Sequence, residues 1–383
     1  MTETISTPAA EATPAAPRTT RKPALPALTG VRTFLAANIM LFHFTPPHIE
    51  WITPVVGHGF VFVGFFLLIS GFILSYNYGD RIRTLKLKDF YLARVARLYP
   101  VYLVSLLISI PVLMEEFHVR TRGEFVRGAI MTPLLLQGWS PWLATFWNTV
   151  AWTLSTEAFL YVIFPFVMRW RWPERGRNLA ALGLAIWILG LIPHGIYMLT
   201  NPDGLPHLDR YSYGYYLRGL KFTPLPYVCT FLVGIVLGRL HGVREMSERV
   251  RAVLAFAAVA GIVGFLYLAA DHTSYILMHG GLLTPLFAML ILGVTGRNPI
   301  ALFFGWKPFV MVGEATLCIY LLHFNGLQMM RDYHLAEKLH YTAFDPWASY
   351  VLLWGFAYLL YVFYENPARK WVLATFGTKK AAA

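Results

Sequence analysis

The chain has 383 residues, of which 57% are hydrophobic and 14% are charged, and its mean hydropathy is +0.52. Soluble domains average about 45–50% apolar and about 25% charged residues, so the composition argues against a soluble protein and indicates an integral membrane protein. The formal net charge of +12 suits a nucleic-acid-binding protein, but the Lys and Arg residues stand in short runs between apolar segments. We therefore expect no nucleic-acid partner, and a lipid bilayer around the chain.

Apolar segments of about 20 residues, the length that crosses the hydrocarbon core of a bilayer, recur along the chain. The sequence predicts a disordered tail over residues 1–24, one all-α polytopic membrane domain over 25–370 and a second tail over 371–383. The segment 125–137 is shorter and flanked by Arg, which is typical of an interfacial or re-entrant piece. The ten predicted transmembrane helices are 27–47, 55–78, 99–114, 146–168, 178–199, 222–240, 250–270, 276–295, 308–326 and 346–366.

The orientation of these spans follows from their flanking charges. Most of the 32 Lys and Arg residues lie in alternate connecting segments, beginning with the first tail and ending with the last. Basic residues concentrate on the cytoplasmic side of membrane proteins. Both termini are therefore predicted to be cytoplasmic, in a multi-pass protein of the inner (plasma) membrane.

Several predicted spans carry ionisable side chains. Such a group at the centre of a membrane helix costs about 2.5–3.5 kcal/mol on insertion scales, so it is a functional candidate by default. The six residues concerned are Arg32, His43, Glu157, Glu314, His323 and Glu365.

Arg32 and His43 lie eleven residues apart in the first span, which places them on one helix face about 16 Å apart along the axis. Together they could line a polar path across the membrane. In the competing interpretation, Arg32 extends to the lipid headgroups and His43 is a hydrogen-bonded core residue. Spacing alone does not separate the two.

Two further sites rest on local context. Arg94 and Arg97 precede the third predicted span and share a helix face. Together they form a two-point clamp suited to phosphates. The competing explanation is that cytoplasmic loops of membrane proteins are basic in any case. Glu157 lies in an otherwise apolar helix, where we expect it to pair with an intramembrane Arg or His.

These pieces together resemble the acyltransferase-3 family of membrane O-acyltransferases. The resemblance runs from about Leu25 to Lys370. No single motif is decisive, and the resemblance rests on six motifs that occur in the family's order. Gly64 is a departure, since many members have Asp or Ser there. The motifs are Arg32 with His43, Phe65-Phe66 with Ser70-Gly71-Phe72, Arg94-Val-Ala-Arg97, Trp152-Thr-Leu-Ser-Thr-Glu157, Tyr320-Leu-Leu-His323 and Tyr364-Glu365-Asn-Pro367-Ala-Arg369.

The resemblance implies transfer of an acyl group, usually acetyl, from acyl-CoA to a hydroxyl of a carbohydrate or glycosylated acceptor. No permanently bound cofactor and no metal are expected, and acetyl-CoA or another acyl-CoA is the donor substrate. The family's essential histidine corresponds to His43, its signature arginine to Arg32 and its arginine pair to Arg94 and Arg97. Some members carry an additional hydrolase-like domain; this sequence contains none, so we expect it to complete the transfer alone or to hand the group to another protein.

A mechanism can be written on these residues. Neutral His43 takes the proton of the acceptor hydroxyl, Glu157 orients or charge-balances the site, and His323 assists from the outer half of its span. A covalent acyl-histidine intermediate remains an alternative. Arg94 and Arg97 on the cytoplasmic side receive the phosphates of the donor.

Other features leave alternatives open. Four tyrosines of the outer loop 200–221, namely Tyr211, Tyr213, Tyr215 and Tyr216, suit sugar faces or an interfacial aromatic belt. His58 is a weaker candidate near the second span. The rival function is a transporter that exports a metabolite or glycan, although the sequence contains no internal repeat and no paired broken helices.

Overall fold

The computed structural model describes residues 22–378, and the predicted disorder of the first tail lies almost wholly outside them. Within that part of the chain the protein is all-α, and no residue is in a strand. Of the predicted second tail, Trp371–Phe376 continue a helix, while 379–383 are outside the described residues. The all-α prediction is confirmed.

Nineteen α-helices form the described chain, and a π-helical turn at Tyr361–Glu365 joins the last two. The helices in chain order are α1 (Pro26–His43), α2 (Thr53–Val56), α3 (Val61–Tyr78), α4 (Leu87–Ile108), α5 (Ile110–Val119), α6 (Arg122–Met131), α7 (Trp152–Met168), α8 (Gly176–Thr200), α9 (Tyr215–Phe222), α10 (Val228–Val243), α11 (Glu248–Leu268), α12 (Tyr275–His279), α13 (Thr284–Val294), α14 (Pro299–Phe304), α15 (Lys307–Glu314), α16 (Thr316–Asp332), α17 (Leu335–Lys338), α18 (Trp347–Leu360) and α19 (Asn366–Phe376).

Seven helical segments of residues 22–378 are long and apolar enough to cross a bilayer, and the bent pair α15–α16 makes an eighth if it counts as one span. The predicted spans 27–47 and 146–168 are not among them. Helix α1 has 18 residues, but Arg32, Asn38 and His43 lower its hydropathy, and α7 has only 17 residues. The seven segments are Val61–Arg81, Leu87–Ile108, Gly176–Thr200, Leu225–Val243, Glu248–Leu268, Tyr275–Val294 and Trp347–Phe376.

Helix α4 begins much earlier than the third predicted span. It starts at Leu87, so Arg94 and Arg97 lie inside a membrane-length helix and not in the loop before it. The prediction was wrong because a hydropathy window ends where charged residues accumulate. The backbone continues as a helix there, since Arg is a good helix former and both guanidinium groups find an interior space, described below.

Two other predicted spans are interrupted. Between α12 and α13 the chain leaves the helix at residues 280–283, and α15 meets α16 at Ala315 with a bend of 65°. Both breaks lie in the second half of the chain. The segment 125–137, predicted as an interfacial or re-entrant piece, belongs largely to α6, which begins with a capping box between Thr121 and Glu124.

Helix α1 lies at the centre of the bundle and packs on α3, α14, α15 and α16. The Tyr76 hydroxyl at the end of α3 donates to the Pro23 carbonyl before α1, at 3.0 Å. At the opposite end, the Tyr350 hydroxyl of α18 donates to the carbonyl of Phe44, which follows His43. These contacts define two sides of the molecule, an Arg94 side where α1 begins and a His43 side where it ends.

Glycines set the distance between α3 and α10, which pack closely along their length. A Cβ atom on Gly71 would lie 2.3 Å from the Phe231 carbonyl oxygen, and one on Gly234 would lie 2.2 Å from that of Leu68. Small residues of this kind allow membrane helices to approach backbone to backbone. Gly71 belongs to the Ser-Gly-Phe motif, so part of that motif serves packing.

We expect Gly71→Ala to lower the thermal unfolding midpoint of the detergent-purified protein, because the added methyl group must displace backbone atoms of α10. Overpacking of this kind costs about 1–3 kcal/mol. Gly64→Ala in the same helix is the matched control, since a Cβ there meets no atom within 4 Å. Equal midpoints for the two variants would contradict the proposed close contact.

Candidate active site

A cavity of about 200 Å³, partly open to the outside, lies between α1, α3, α4, α7 and α16. Most of its wall is apolar. The charged and hydroxyl-bearing residues that line it are Thr29, Arg32, Ser70, Arg94, Arg97, Thr153, Glu157, Tyr161, Thr316 and Tyr320.

Three arginines from two helices meet in this cavity. Arg94 and Arg97 are three residues apart on α4 and therefore share one face, and Arg32 comes from the first turns of α1. The Arg32 guanidinium lies 5.7 Å from the centre of the Phe66 ring. Arg94 donates to the Tyr78 hydroxyl at 3.3 Å. Of the two interpretations left open for Arg32, this arrangement agrees with the one in which it faces the interior of the bundle.

Glu157 is the one carboxylate lining this cavity, and its partners differ from the predicted ones. Its Oε1 accepts a hydrogen bond from the Ser70 hydroxyl at 2.7 Å and another from the Tyr161 hydroxyl. In the described chain no Arg or His nitrogen lies within 4.0 Å of it. The expected ion pair was wrong because two hydroxyls satisfy the carboxylate, which leaves the guanidinium groups available.

The formal charge of the cavity lining is therefore positive, with three guanidinium groups against one carboxylate. Interactions between charges are stronger in such an enclosed space than in water. Arginine offers several N–H donors in a planar fork that matches carboxylate and phosphate oxygens. An anionic ligand is the chemistry for which this arrangement is suited.

His43 and His323 lie next to each other on the His43 side. Their ring centres are 5.4 Å apart, and the Phe324 ring lies 5.0 Å from that of His43. His323 is 1% exposed, and its Nδ1 lies 2.7 Å from the Tyr320 carbonyl oxygen. Since a carbonyl only accepts, Nδ1 carries the proton and Nε2 of the neutral ring is the acceptor. No described residue bonds to Nε2, so a proton-accepting nitrogen is free beside His43.

The histidine pair does not line the arginine cavity, contrary to the prediction that Arg32 and His43 face one continuous path. Tyr320 connects the two regions, because it lines the cavity and its ring centre is 5.5 Å from that of His323. The eleven-residue spacing correctly put Arg32 and His43 toward opposite ends of α1. It could not reveal an aromatic side chain contributed by α16.

The remaining candidates lie elsewhere. Glu365 is 5% exposed and accepts a hydrogen bond from the Cys318 thiol at 3.1 Å, and Glu314 accepts one from the Tyr361 hydroxyl at 3.1 Å. His58 lies 3.5 Å from the Asp271 carboxylate. None of these three lines the cavity. The four loop tyrosines are exposed on the His43 side.

Sequence reasoning missed the residues that hold the site together. Tyr161 lies four residues after Glu157, a spacing that signals a shared helix face, but Ser70 is 87 positions away from Glu157.

The non-helical segment 140–151 is held in place by the side-chain amides of two asparagines. Asn148 Nδ2 donates to Ser105 Oγ at 3.2 Å and to the Leu321 carbonyl at 3.0 Å, and Asn325 Nδ2 donates to the Trp147 carbonyl at 2.8 Å.

Comparison with known proteins agrees with this architecture. The acyltransferase-domain model of the acyltransferase-3 family matches residues 25–371. The chain belongs to this family. Family membership makes it an acyltransferase, and the transporter alternative is not retained.

Relatives of established name are distant. Acyltransferase MdmB of Streptomyces mycarofaciens is 27% identical over 317 residues, which cover 78% of both chains. O-acetyltransferase OatA of Staphylococcus aureus is 23% identical over 378 residues, 90% of this chain and 57% of that protein. A putative O-acetyltransferase of Staphylococcus aureus strain COL is 22% identical with the same coverage. The chain thus spans a little over half the length of the staphylococcal relatives. No solved structure matches it.

We expect Asn148→Ala to destabilise the acyltransferase, because it leaves the Leu321 carbonyl and the Ser105 hydroxyl without this donor in a buried region. Leaving buried polar groups unpaired costs about 1–3 kcal/mol. The thermal unfolding midpoint in detergent checks the change. Asn178→Ala, at an exposed position early in α8, is the control, and an Asn148→Ala midpoint as high as the control's would refute the bridging role.

Proposed function

We propose that this acyltransferase moves an acetyl group from acetyl-CoA to a hydroxyl of a carbohydrate or glycosylated acceptor. The arginine cavity is the observation on which the proposal rests. Acyl-CoA carries several phosphate charges. Arg32, Arg94 and Arg97 offer guanidinium donors, and no carboxylate of residues 22–378 lies within 4.0 Å of them. Two of the distant relatives are named O-acetyltransferases, which supports acetyl as the group transferred and oxygen as its acceptor.

In the proposed mechanism His43 is the general base. Its neutral imidazole takes the proton of the acceptor hydroxyl while the oxygen attacks the thioester carbonyl carbon. The tetrahedral intermediate then expels the CoA thiolate, which receives the proton held by His43, so that the products are an ester and free CoA thiol. His323 assists through its free Nε2, and Glu157 offsets part of the arginine charge.

The donor must reach the histidines from the cavity. Tyr320 lies next to both regions, so we propose that the acyl end of the donor passes this ring. The phosphates stay with the arginines on the Arg94 side. Transfer then needs no movement of charged groups through the bundle, because the pantetheine arm and the acetyl group are uncharged.

The proposed topology has ten spans with both termini in the cytoplasm. It counts α1 and α7 as spans although their length or hydropathy is marginal, since both lie in the interior of the bundle and contact protein on most sides. The Arg94 side then faces the cytoplasm, where acyl-CoA is found, and the His43 side faces outward. The proposed location is the inner (plasma) membrane of the cell.

The His43→Ala variant is expected to lose acetyl transfer by a factor of about 10²–10⁴, the usual contribution of a general base. Release of CoA from acetyl-CoA by purified protein, together with the acetyl content of cell-envelope glycans, measures the loss. His58→Ala is the control, because His58 lies near Asp271 and away from the cavity. Normal transfer by His43→Ala would exclude its role as the base.

Arg94→Ala and Arg97→Ala are each expected to raise the Kd for CoA by a factor of about 10–100, because each removes a charge-assisted hydrogen-bond donor worth about 1.5–3 kcal/mol. Isothermal titration calorimetry in detergent measures the Kd for CoA directly. Arg83→Ala is matched in charge and lies at an exposed position between α3 and α4. If Arg83→Ala weakens CoA binding as much as the cavity variants, general surface charge is responsible and the cavity is not the donor site.

A further inference from the structure

Two cations on the His43 side have no acidic partner. Arg210 lies in the loop between α8 and α9, and Lys221 is near the end of α9. In the described chain neither has a carboxylate oxygen within 4.0 Å. Unpaired charges in partly buried positions are costly, so their presence needs an explanation.

Arg210 is held beside the histidine pair by aromatic rings. Its guanidinium carbon lies 4.5 Å from the centre of the Phe42 ring and 4.8 Å from that of Tyr211. Phe42 directly precedes His43, and their ring centres are 5.0 Å apart. The guanidinium donates no hydrogen bond to any residue of 22–378 and is only half-buried, so its donors are free to bind a ligand near His43.

Lys221 is 4% exposed, and its Nζ makes one long contact, 3.4 Å, with the Arg210 carbonyl oxygen. The Tyr275 ring centre lies 5.2 Å from the same nitrogen. Burial lowers the pKa of Lys221 to about 8, because the charged form loses its hydration. The contact with the Arg210 backbone brings this ammonium group next to the loop that carries Arg210.

The two acids nearest in the chain, Asp203 and Asp209, accept hydrogen bonds within their own loop. Asp203 accepts from the amides of Tyr216 and Leu217 at 3.1 and 2.8 Å. Asp209 accepts from the Tyr211 amide and the Ser212 hydroxyl, each at 2.8 Å. Both carboxylates therefore shape the loop. Asp209 also favours the charged form of Lys221 from a distance, but in the described chain neither carboxylate comes within 4.0 Å of Arg210 or Lys221.

Arg218 shows what a structural arginine looks like in this region. It is 6% exposed, and it donates to the Pro141 carbonyl at 2.7 Å and to the Thr145 hydroxyl at 3.1 Å. Its hydrogen bonds fix α9 against the segment 140–151. Arg210 has no comparable partner, so packing alone does not account for it.

We propose that Arg210 and Lys221 form an anion subsite beside His43, which binds a carboxylate or phosphate group of the acceptor. The acceptor is then an acidic or phosphorylated glycan, and its charged group anchors it while a neighbouring hydroxyl faces the base. This inference rests on the proposed function. A phospholipid headgroup offers the same chemistry from another source, and the experiment below separates the two.

The test uses the full-length protein in phosphatidylcholine nanodiscs, with methyl β-D-glucuronide as the charged probe and methyl β-D-glucoside as its neutral counterpart. Kd values are measured by thermophoresis. We expect the glucuronide to bind at least tenfold more tightly than the glucoside. Arg210→Gln is expected to raise the Kd for the glucuronide about tenfold. Arg331→Gln changes an exposed arginine in the last turn of α16 and is expected to leave both Kd values unchanged. Lys221→Gln provides a second variant of the subsite.

A second arm replaces phosphatidylcholine by phosphatidylglycerol. If glucuronide binding persists unchanged, the acceptor is supported as the source of the anion. If anionic lipid raises the unfolding midpoint only when Arg210 is present, and no glucuronide preference exists, the occupant is a headgroup and the acceptor assignment is overturned. Equal binding of both glycosides with no lipid effect overturns the subsite altogether.

Acetyl-CoA-dependent CoA release by the same preparation keeps the two proposals apart. Glucuronide preference without CoA release would leave the anion subsite intact and refute the acyl-CoA donor. CoA release without glucuronide preference would leave the proposed function intact and refute the subsite.

Discussion

The cost of placing guanidinium groups within a membrane-spanning bundle is the constraint on which the rest of this structure depends. Arg32, Arg94 and Arg97 lie on helices that the bilayer would otherwise surround, and a charge facing lipid is expensive. The bundle resolves this by turning all three toward one cavity, with α1 at its centre. Because Glu157 is satisfied by Ser70 and Tyr161, the cations remain available to a ligand. Their positions thus follow from solvation as much as from function.

The same constraint explains where the helices depart from regular packing. Gly71 and Gly234 bring α3 and α10 together backbone to backbone, which closes one flank of the bundle without polar groups. On the other flank the chain is irregular around residues 140–151, and the amides of Asn148 and Asn325 satisfy backbone carbonyls there. Irregular backbone at membrane depth is tolerated only where protein or water completes its hydrogen bonds, so these asparagines are part of the architecture of the site.

The sequence was sufficient for features that depend on local spacing and composition. The all-α class follows from the apolar segments, and the shared face of Arg94 and Arg97 follows from their three-residue spacing. The direction of Arg32 was left open by the sequence and is given by the structure. Features that depend on distant contacts were out of reach. A hydropathy window cannot place Arg94 inside α4, nothing in the chain order links Ser70 to Glu157, and the Tyr320 ring between the arginines and His43 depends on how α16 bends away from α15. The span count shares this limit, since α1 and α7 are polar or short for reasons that only the bundle interior explains.

The separation of the arginines from the histidines has a chemical consequence. Under the proposed function, water and a sugar hydroxyl would compete as oxygen nucleophiles, and a base open to the arginine cavity would hydrolyse the thioester as readily as transfer its acyl group. Here Tyr320 stands toward the cavity, and the rings of Phe42 and Phe324 surround His43. In the proposed mechanism these aromatic side chains limit the access of water to His43. The proposed base would then act on a nucleophile that is itself bound, and the proposed Arg210 and Lys221 subsite would hold that nucleophile.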